Sequence, residues 1–455
     1  MDSRTIVAPM TPAGVSAVAA LRVSGPDVRK VVGTLFGEKA LGTLAPRHAS
    51  YGTARMPDSG DVVDSFLYIF FEGPNSYTGE DVLELYPHGN PLIVRRLMQA
   101  IRSIGCVRLA EPGEFTRRAF LNGKMDLAQA ESVADVIHSA NLAELKNAHR
   151  LLGGALSKKV LTLAEQVKDI SARLELDVDF AEEEADPDFE GWGKRFEGIR
   201  ASILGILDSF REKSSVGRLP LAVIYGAPNA GKSSLVNALL GEDRILVSNI
   251  PGTTRDFVEV RLFLDGGEIR LVDTAGIAER ATDELDALSM EKSREILEEA
   301  DMKILVVDSA SHVIARNRSD RGNLNPDFIV YSKSDLMGVP DGGSEAAMTL
   351  TENALRVSSK TGEGLAGLRQ AMNKTLFKKV ENSEDFWITS EREKACLEDA
   401  LAGIDRALDQ LKNNPAVELV AFEMQLVRRA LQSITGEISS EDVLQSIFAG
   451  FCIGK

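Results

Sequence analysis

The sequence predicts a multidomain α/β chain: an N-terminal α+β domain, an all-α helical domain, and a parallel-sheet α/β domain inserted into the helical one. Three observations predict it. A phosphate-loop motif sits where a strand meets a helix, two stretches of helical apolar spacing flank it, and short strands with turn signals fill the first part of the chain.

Residues 226–234 read Gly-Ala-Pro-Asn-Ala-Gly-Lys-Ser-Ser, a complete GxxxxGK[ST] loop. The run Leu221-Ala222-Val223-Ile224-Tyr225 before it is short and apolar, as a buried parallel strand is, and Leu235 to Leu240 after it has helical spacing. That context makes the motif a physical site. Gly226 and Gly231 let backbone N–H groups curl around phosphate oxygens, and the helix N-terminus adds its positive dipole end. Lys232 is placed to reach the β- and γ-phosphates, with the Ser233 hydroxyl on Mg²⁺.

Further nucleotide motifs follow in order. Asp273-Thr274-Ala275-Gly276 closes the apolar strand Ile269–Val272, where an acidic residue suits Mg²⁺ and Gly276 can offer its N–H to a γ-phosphate. Between the two lies a Gly/Pro-marked loop, Ser248, Asn249, Ile250, Pro251, Gly252, Thr253 and Thr254, whose hydroxyls can close over the metal; Thr254 is the second expected Mg²⁺ ligand. After the strand Phe328–Tyr331 comes Ser332-Lys333-Ser334-Asp335, in which Asp335 can accept two hydrogen bonds from guanine that adenine cannot offer. Ser358, Ser359 and Lys360 supply the remaining base-side loop. With Asn229, Ala230, Gly231, Lys232, Ser233 and Ser234 of the phosphate loop, these are the candidate GTP contacts. Five motifs in this order predict a Ras-like P-loop GTPase domain.

Two details set it apart from Ras-type switches. Ile277 follows Gly276 where those proteins carry a water-orienting glutamine, so another group must do that work. Asn229 offers a side-chain oxygen beside the β/γ bridge. Together with carbonyls of Ser248 and Ile250 and oxygen from Thr253, it can cage K⁺, placing charge where an arginine finger otherwise sits. Equally, Asn229 can be a turn residue tolerating an unusual backbone angle.

At 455 residues the chain predicts two to four domains, and 44% hydrophobic with 26% charged residues is an ordinary soluble composition. No run approaches the roughly 18 apolar residues of a membrane span, and the first residues lack a signal peptide's order. Three separated cysteines, Cys106, Cys396 and Cys452, offer no metal pair or disulfide framework, so a cytoplasmic location is expected. The net charge of −16 argues against bulk attraction to nucleic acid, so any RNA contact needs a local basic patch.

The N-terminal strands are Val63–Phe71 and Val82–Tyr86, separated by the turn Gly73–Ser76. From about Asp126 the pattern turns helical: Leu152, Leu156, Leu163, Val167, Ile170 and Leu174 form one seam, ending at an acidic run before Pro187. Another seam, Leu397, Leu401, Ile404, Leu408 and Leu411, resumes after the GTPase motifs. One interrupted helical domain is the expectation, two independent helical segments the alternative.

Outside the nucleotide motifs, the stretches Pro74–Val82, His88-Gly89, Glu111–Lys124, Asp126–Glu131 and the ending Phe451-Cys452-Ile453-Gly454-Lys455 closely resemble the MnmE (TrmE) family of tRNA-modification GTPases, over essentially the whole chain. The resemblance implies a homodimer acting with an FAD- and NADH-dependent partner protein on the wobble uridine of certain tRNAs. It implies a carboxymethylaminomethyl-type group added at C5, with the carbon drawn from a 5-formyl- or 5,10-methylene-tetrahydrofolate. By matching position it implies folate contacts at Arg22, Glu84, Lys124 and Lys455, and catalytic roles for Asp286 and Cys452. Cys452 can serve as nucleophile or proton donor. On this basis 1–122 form a folate-binding and dimerisation domain, 123–217 and 380–455 the two parts of the helical domain, and 218–379 the GTPase domain.

The chain departs from the family in four places. Ser332 replaces an Asn, which implies loss of an amide that braces the loop; Asp286 stands, one insertion away, for a Glu; Ala278 takes the place of an Arg; and Gly14-Val15-Ser16-Ala17 replaces a glycine-rich stretch. Two rival readings are a GTPase switch in ribosome assembly and a folate-dependent one-carbon transferase with a regulatory GTPase.

Overall fold

The computed structural model describes residues 3–179, 189–212, 218–241, 258–273, 295–309, 326–336, 353–377, 386–413 and 417–455. The chain divides into two compact units. One comprises Met1–Ile137, Ala148–Arg211 and Phe386–Lys455, the other His138–Asn147 and Glu212–Asp385.

The first unit opens with β1 (Thr5–Pro9), β2 (Ser16–Val18), β3 (Leu21–Ser24), α1 (Val28–Phe36), α2 (Glu38–Gly42), β4 (Ala49–Arg55), β5 (Val62–Phe71), β6 (Val82–Tyr86), β7 (His88–Gly89), α3 (Pro91–Arg102), β8 (Val107–Leu109) and α4 (Glu114–Leu121). Six of these strands form one sheet in the order β4-β5-β6-β3-β1-β8, antiparallel except where β1 meets β8. Alternation decides its faces: Phe66, Tyr68 and Phe70 of β5 are buried while their neighbours are not. They pack with Leu83, Leu85 and the apolar faces of α1 and α3. Asn90 caps α3 by accepting from Leu92 N, and Pro91 takes the first turn, where its missing N–H costs nothing.

The helices are α5 (Leu127–His138), α6 (Leu142–Leu152), α7 (Ala155–Asp179) and α8 (Phe189–Leu207). The expected single seam from Leu152 is broken. Gly154 adopts φ +83 after Gly153 and separates α6 from α7, because a left-handed residue ends an α-helix.

The second unit holds β9 (Leu221–Gly226), α9 (Lys232–Leu240), β10 (Val258–Leu264), β11 (Gly267–Asp273), β12 (Met302–Asp308), β13 (Phe328–Ser332), β14 (Ala354–Arg356) and α10 (Leu365–Phe377). Its sheet order is β10-β11-β9-β12-β13-β14, parallel apart from the β10–β11 hairpin. Leu221 to Ile224 of β9 are all buried, as a central parallel strand requires.

The chain then returns to the first unit through α11 (Glu391–Asn413), α12 (Val417–Thr435) and α13 (Glu441–Ala449). Leu163, Val167, Phe196 and Ile203 from before the insertion share one core with Leu397, Ile404, Val427 and Leu431 from after it. This common core favours one interrupted helical domain over two independent segments.

Candidate functional site

The described nucleotide motifs, at Gly226–Ser234, Asp273, Ser332–Asp335 and Ser358, converge at the C-terminal edge of the parallel strands, where α/β sheets of this kind place ligands. Gly226 (φ +151) crosses so close to β12 that an added Cβ would lie 2.2 Å from the Val306 carbonyl oxygen, so only glycine fits. Gly231 (φ +91) gives the second left-handed turn. Lys232 is buried, its Nζ donating to the carbonyls of Gly226 at 2.9 Å and Ala227 at 2.8 Å, which curls the loop around the ammonium. Ser233 Oγ donates to Asp273 Oδ2 at 2.7 Å, bringing the end of β11 to the start of α9. Hydroxyl and carboxylate are the hard oxygen donors Mg²⁺ prefers, and the pair fits that ion.

On the base side, Ser358 Oγ donates to Asp335 Oδ1 at 2.8 Å and fixes the carboxylate. Lys333 Nζ donates to the Asn229 carbonyl at 3.1 Å and to Asp308 Oδ2 at 2.6 Å. Ser332 corrects an expectation. Its buried hydroxyl donates to the Ala230 carbonyl at 2.5 Å, so a brace to the phosphate loop survives without the amide. Asn229 has φ +61, the unusual backbone angle its plainer reading called for. Ser359 and Lys360 follow β14 in the same loop as Ser358. Ser248, Asn249, Ile250, Pro251, Gly252, Thr253, Thr254, Thr274, Ala275, Gly276, Ile277, Ala278 and Asp286 lie outside the described residues.

A second cluster lies in the first unit. Arg22 and Glu84 are direct cross-strand partners on β3 and β6. Arg22 Nε and Nη2 both donate to Glu84 Oε1, at 3.1 and 2.9 Å, and the Tyr86 hydroxyl donates to Oε2 at 2.5 Å. The guanidinium stacks over Tyr77 at 4.8 Å and approaches Phe115 at 5.7 Å. Burial followed by Glu84's acceptance and negative charge pushes the Tyr86 phenol up to about 12.

The segment Phe451–Lys455 reaches this cluster. Phe451 turns inward, buried against Phe448, Leu444 and Leu127. Gly454 (φ +100) passes so near β1 that a Cβ would sit 2.3 Å from the Pro9 carbonyl oxygen. Lys455 is therefore held where burial, then the charge of Arg22, lowers its ammonium's pKa, with Glu84 and Cys452 acting the other way. Cys452 is exposed. Lys124 instead donates to the Pro74 carbonyl at 2.9 Å, and among the described contacts nothing joins it to Arg22.

Arg22 Nη1 is buried without a hydrogen-bond partner among the described residues. Left bare, such a donor carries a desolvation penalty that a ligand acceptor would remove. Two cations, a carboxylate and aromatic walls suit a ligand with an anionic tail and a hydrogen-bonding ring, so a folate fits the residues present. Tyr86, Tyr77 and Phe115 were not foreseen. The Glu84-x-Tyr86 spacing, which puts both on one face of a strand, was the available signal for the first.

Fold and nucleotide site together define a multidomain GTPase carrying an inserted P-loop domain. Two family models match the chain: the helical domain of MnmE over residues 127–452 and the N-terminus of the GTP-binding protein TrmE over residues 5–124. The chain belongs to the MnmE (TrmE) family of tRNA-modification GTPases.

Among solved structures, the chain is similar to the G domain of the T. maritima FeoB iron transporter at 22% identity, covering 35% of this chain and 99% of that one with a TM-score of 0.23. It is also similar to translation elongation factor SelB from Methanococcus maripaludis bound to the GTP analogue GppNHp, at 19% identity, 36% and 35% coverage and a TM-score of 0.22. At those values neither neighbour adds anything on activity. No described helix is long and apolar enough to cross a membrane.

Proposed function

We propose that this chain is a homodimeric, cation-activated GTPase whose hydrolysis drives domain movement during C5 modification of the wobble uridine in certain tRNAs. It acts with an FAD- and NADH-dependent partner protein and installs a carboxymethylaminomethyl-type group. The observation that supports this reading is the seating of Gly454 against β1, which brings Lys455 within electrostatic reach of Arg22 and Glu84, in a chain that also carries a phosphate loop with Lys232, Ser233 and Asp273 drawn together.

In the nucleotide site, phosphate oxygens replace the carbonyls of Gly226 and Ala227 as acceptors for Lys232. Ser233 and Asp273 supply oxygens for Mg²⁺, joined by Thr254. Asn229, with Ser248, Ile250 and Thr253, holds K⁺. Asp335, steadied by Ser358, reads guanine. Asp286 positions the attacking water indirectly, taking the role left open by Ile277.

In the second site, Arg22, Glu84 and Lys455 orient a tetrahydrofolate, with Lys124 at its rim and the N-terminal domains of two protomers enclosing it. When bound, this cofactor supplies the one-carbon unit. Cys452 presents its sulfur to that unit as nucleophile or proton donor. Calorimetry with 5-formyltetrahydrofolate tests the site: Glu84→Ala is expected to lose measurable binding, whereas unchanged affinity moves the folate elsewhere.

A further inference from the structure

The two oxygens of Glu84 are unequally occupied. Oε1 accepts two N–H groups from Arg22, and Oε2 accepts the Tyr86 hydroxyl. A carboxylate offers about four lone-pair sites, so one remains, on Oε2. The two neighbours differ in how readily they can leave. Arg22 is buried, paired across the sheet and stacked on Tyr77. Tyr86 is half-buried at the last position of β6, held at Glu84 by a single hydrogen bond among the described contacts.

We propose that Tyr86 is a specificity-determining gate on Glu84: its hydroxyl occupies Oε2 in place of a ring N–H donor and is displaced when a ligand carrying such donors binds. This rests on the folate reading of the cluster, and it names the part of the ligand that Glu84 selects. A 2-amino-4-oxo pterin presents adjacent N–H donors, and Oε2 accepts them fully only once the phenol has swung out. The p-aminobenzoylglutamate half of a folate has no such ring and leaves the gate shut. The high pKa of the Tyr86 phenol keeps it a donor throughout the neutral range. Two ring donors and the phenol therefore compete for the two lone pairs of Oε2, and removing the phenol relieves the competition.

The test uses the full-length chain with Tyr86→Phe and Glu84→Gln variants, titrated with 5-formyltetrahydrofolate and, separately, with p-aminobenzoylglutamate. Tyr86→Phe is expected to bind 5-formyltetrahydrofolate about tenfold more tightly, a gain of about 1.4 kcal/mol. Its affinity for p-aminobenzoylglutamate stays at the wild-type value. In wild-type protein carrying ¹³Cζ-labelled tyrosine, the Tyr86 resonance, identified by its loss in Tyr86→Phe, shifts with 5-formyltetrahydrofolate and not with p-aminobenzoylglutamate. Glu84→Gln weakens the first ligand. Equal or weaker binding by Tyr86→Phe, with Glu84→Gln still impaired, overturns the gate alone. Unchanged binding in both variants overturns the folate reading of Glu84 and the gate with it.

Discussion

Ser332 Oγ lies 2.5 Å from the carbonyl oxygen of Ala230, tying the guanine-side end of β13 to the phosphate loop. Ser332→Ala leaves that buried carbonyl without its donor. A lost neutral hydrogen bond is worth about 1 kcal/mol, so GDP affinity is expected to fall about fivefold. Competition against labelled GDP measures it, and GTP must still displace the label far better than ATP because Asp335 remains. Equal displacement by ATP would remove Asp335 from base recognition.

GTP hydrolysis is expected to run faster in K⁺ than in Na⁺ and to rise with protein concentration as GTPase domains pair. The expectation follows from Asn229 at the phosphate loop and from Ile277 where a water-orienting glutamine would stand. Initial rates in matched K⁺ and Na⁺ buffers across a protein titration check it; identical curves refute the cation cage.

Glu114 accepts from Arg108 at 2.7 and 2.6 Å and from Arg118 at 2.9 Å, all at buried or nearly buried side chains. Burial pushes its carboxyl up, but the Arg108, Glu111 and Arg118 hydrogen bonds outweigh that and hold it below its ordinary 4.5. The folded state thus binds the proton more weakly than the unfolded chain. The stabilisation is complete above pH 4.5 and lost as pH falls through the lowered folded value. Glu114→Ala should cost about 3 kcal/mol, at the low end for breaking a buried pair because Arg118 keeps Glu80. Urea denaturation at neutral and acid pH would show the loss near neutrality and a smaller one in acid; equal losses at both would contradict it.

Gly454→Ala would force a Cβ to within 2.3 Å of the Pro9 carbonyl. The strand cannot yield that much, so the segment carrying Cys452 and Lys455 lifts from β1. Modified uridine is expected to fall at least tenfold with GTP hydrolysis retained. Wild-type modification would show that the docked segment is dispensable.

The phosphate loop was legible as a strand–loop–helix because it uses contiguous residues, and the Gly226–Ser234 run can be read without knowing any partner. The helical seams were legible too, since burial of Leu163, Val167, Leu397 and Ile404 follows helical spacing. What escaped depended on contacts between distant segments. Tyr77 and Phe115 meet the Arg22 guanidinium only through the folding of distant segments around β3. The inward turn of Phe451 depended on its packing on Phe448, which no local pattern encodes. The Gly153-Gly154 break was visible as residues, yet the apolar period ran straight across it.

The most direct test is reconstitution of wobble-uridine modification from the full-length chain, the proposed flavoprotein partner, tRNA, a reduced folate and GTP. Mass spectrometry of the released nucleosides gives the readout. The C5-modified uridine is expected with the wild-type chain, almost none with Lys232→Ala, and almost none with Cys452→Ser even though that variant folds and binds GTP. Wild-type yields from Lys232→Ala and Cys452→Ser, or no modified uridine from the wild-type chain itself, would contradict the proposed function.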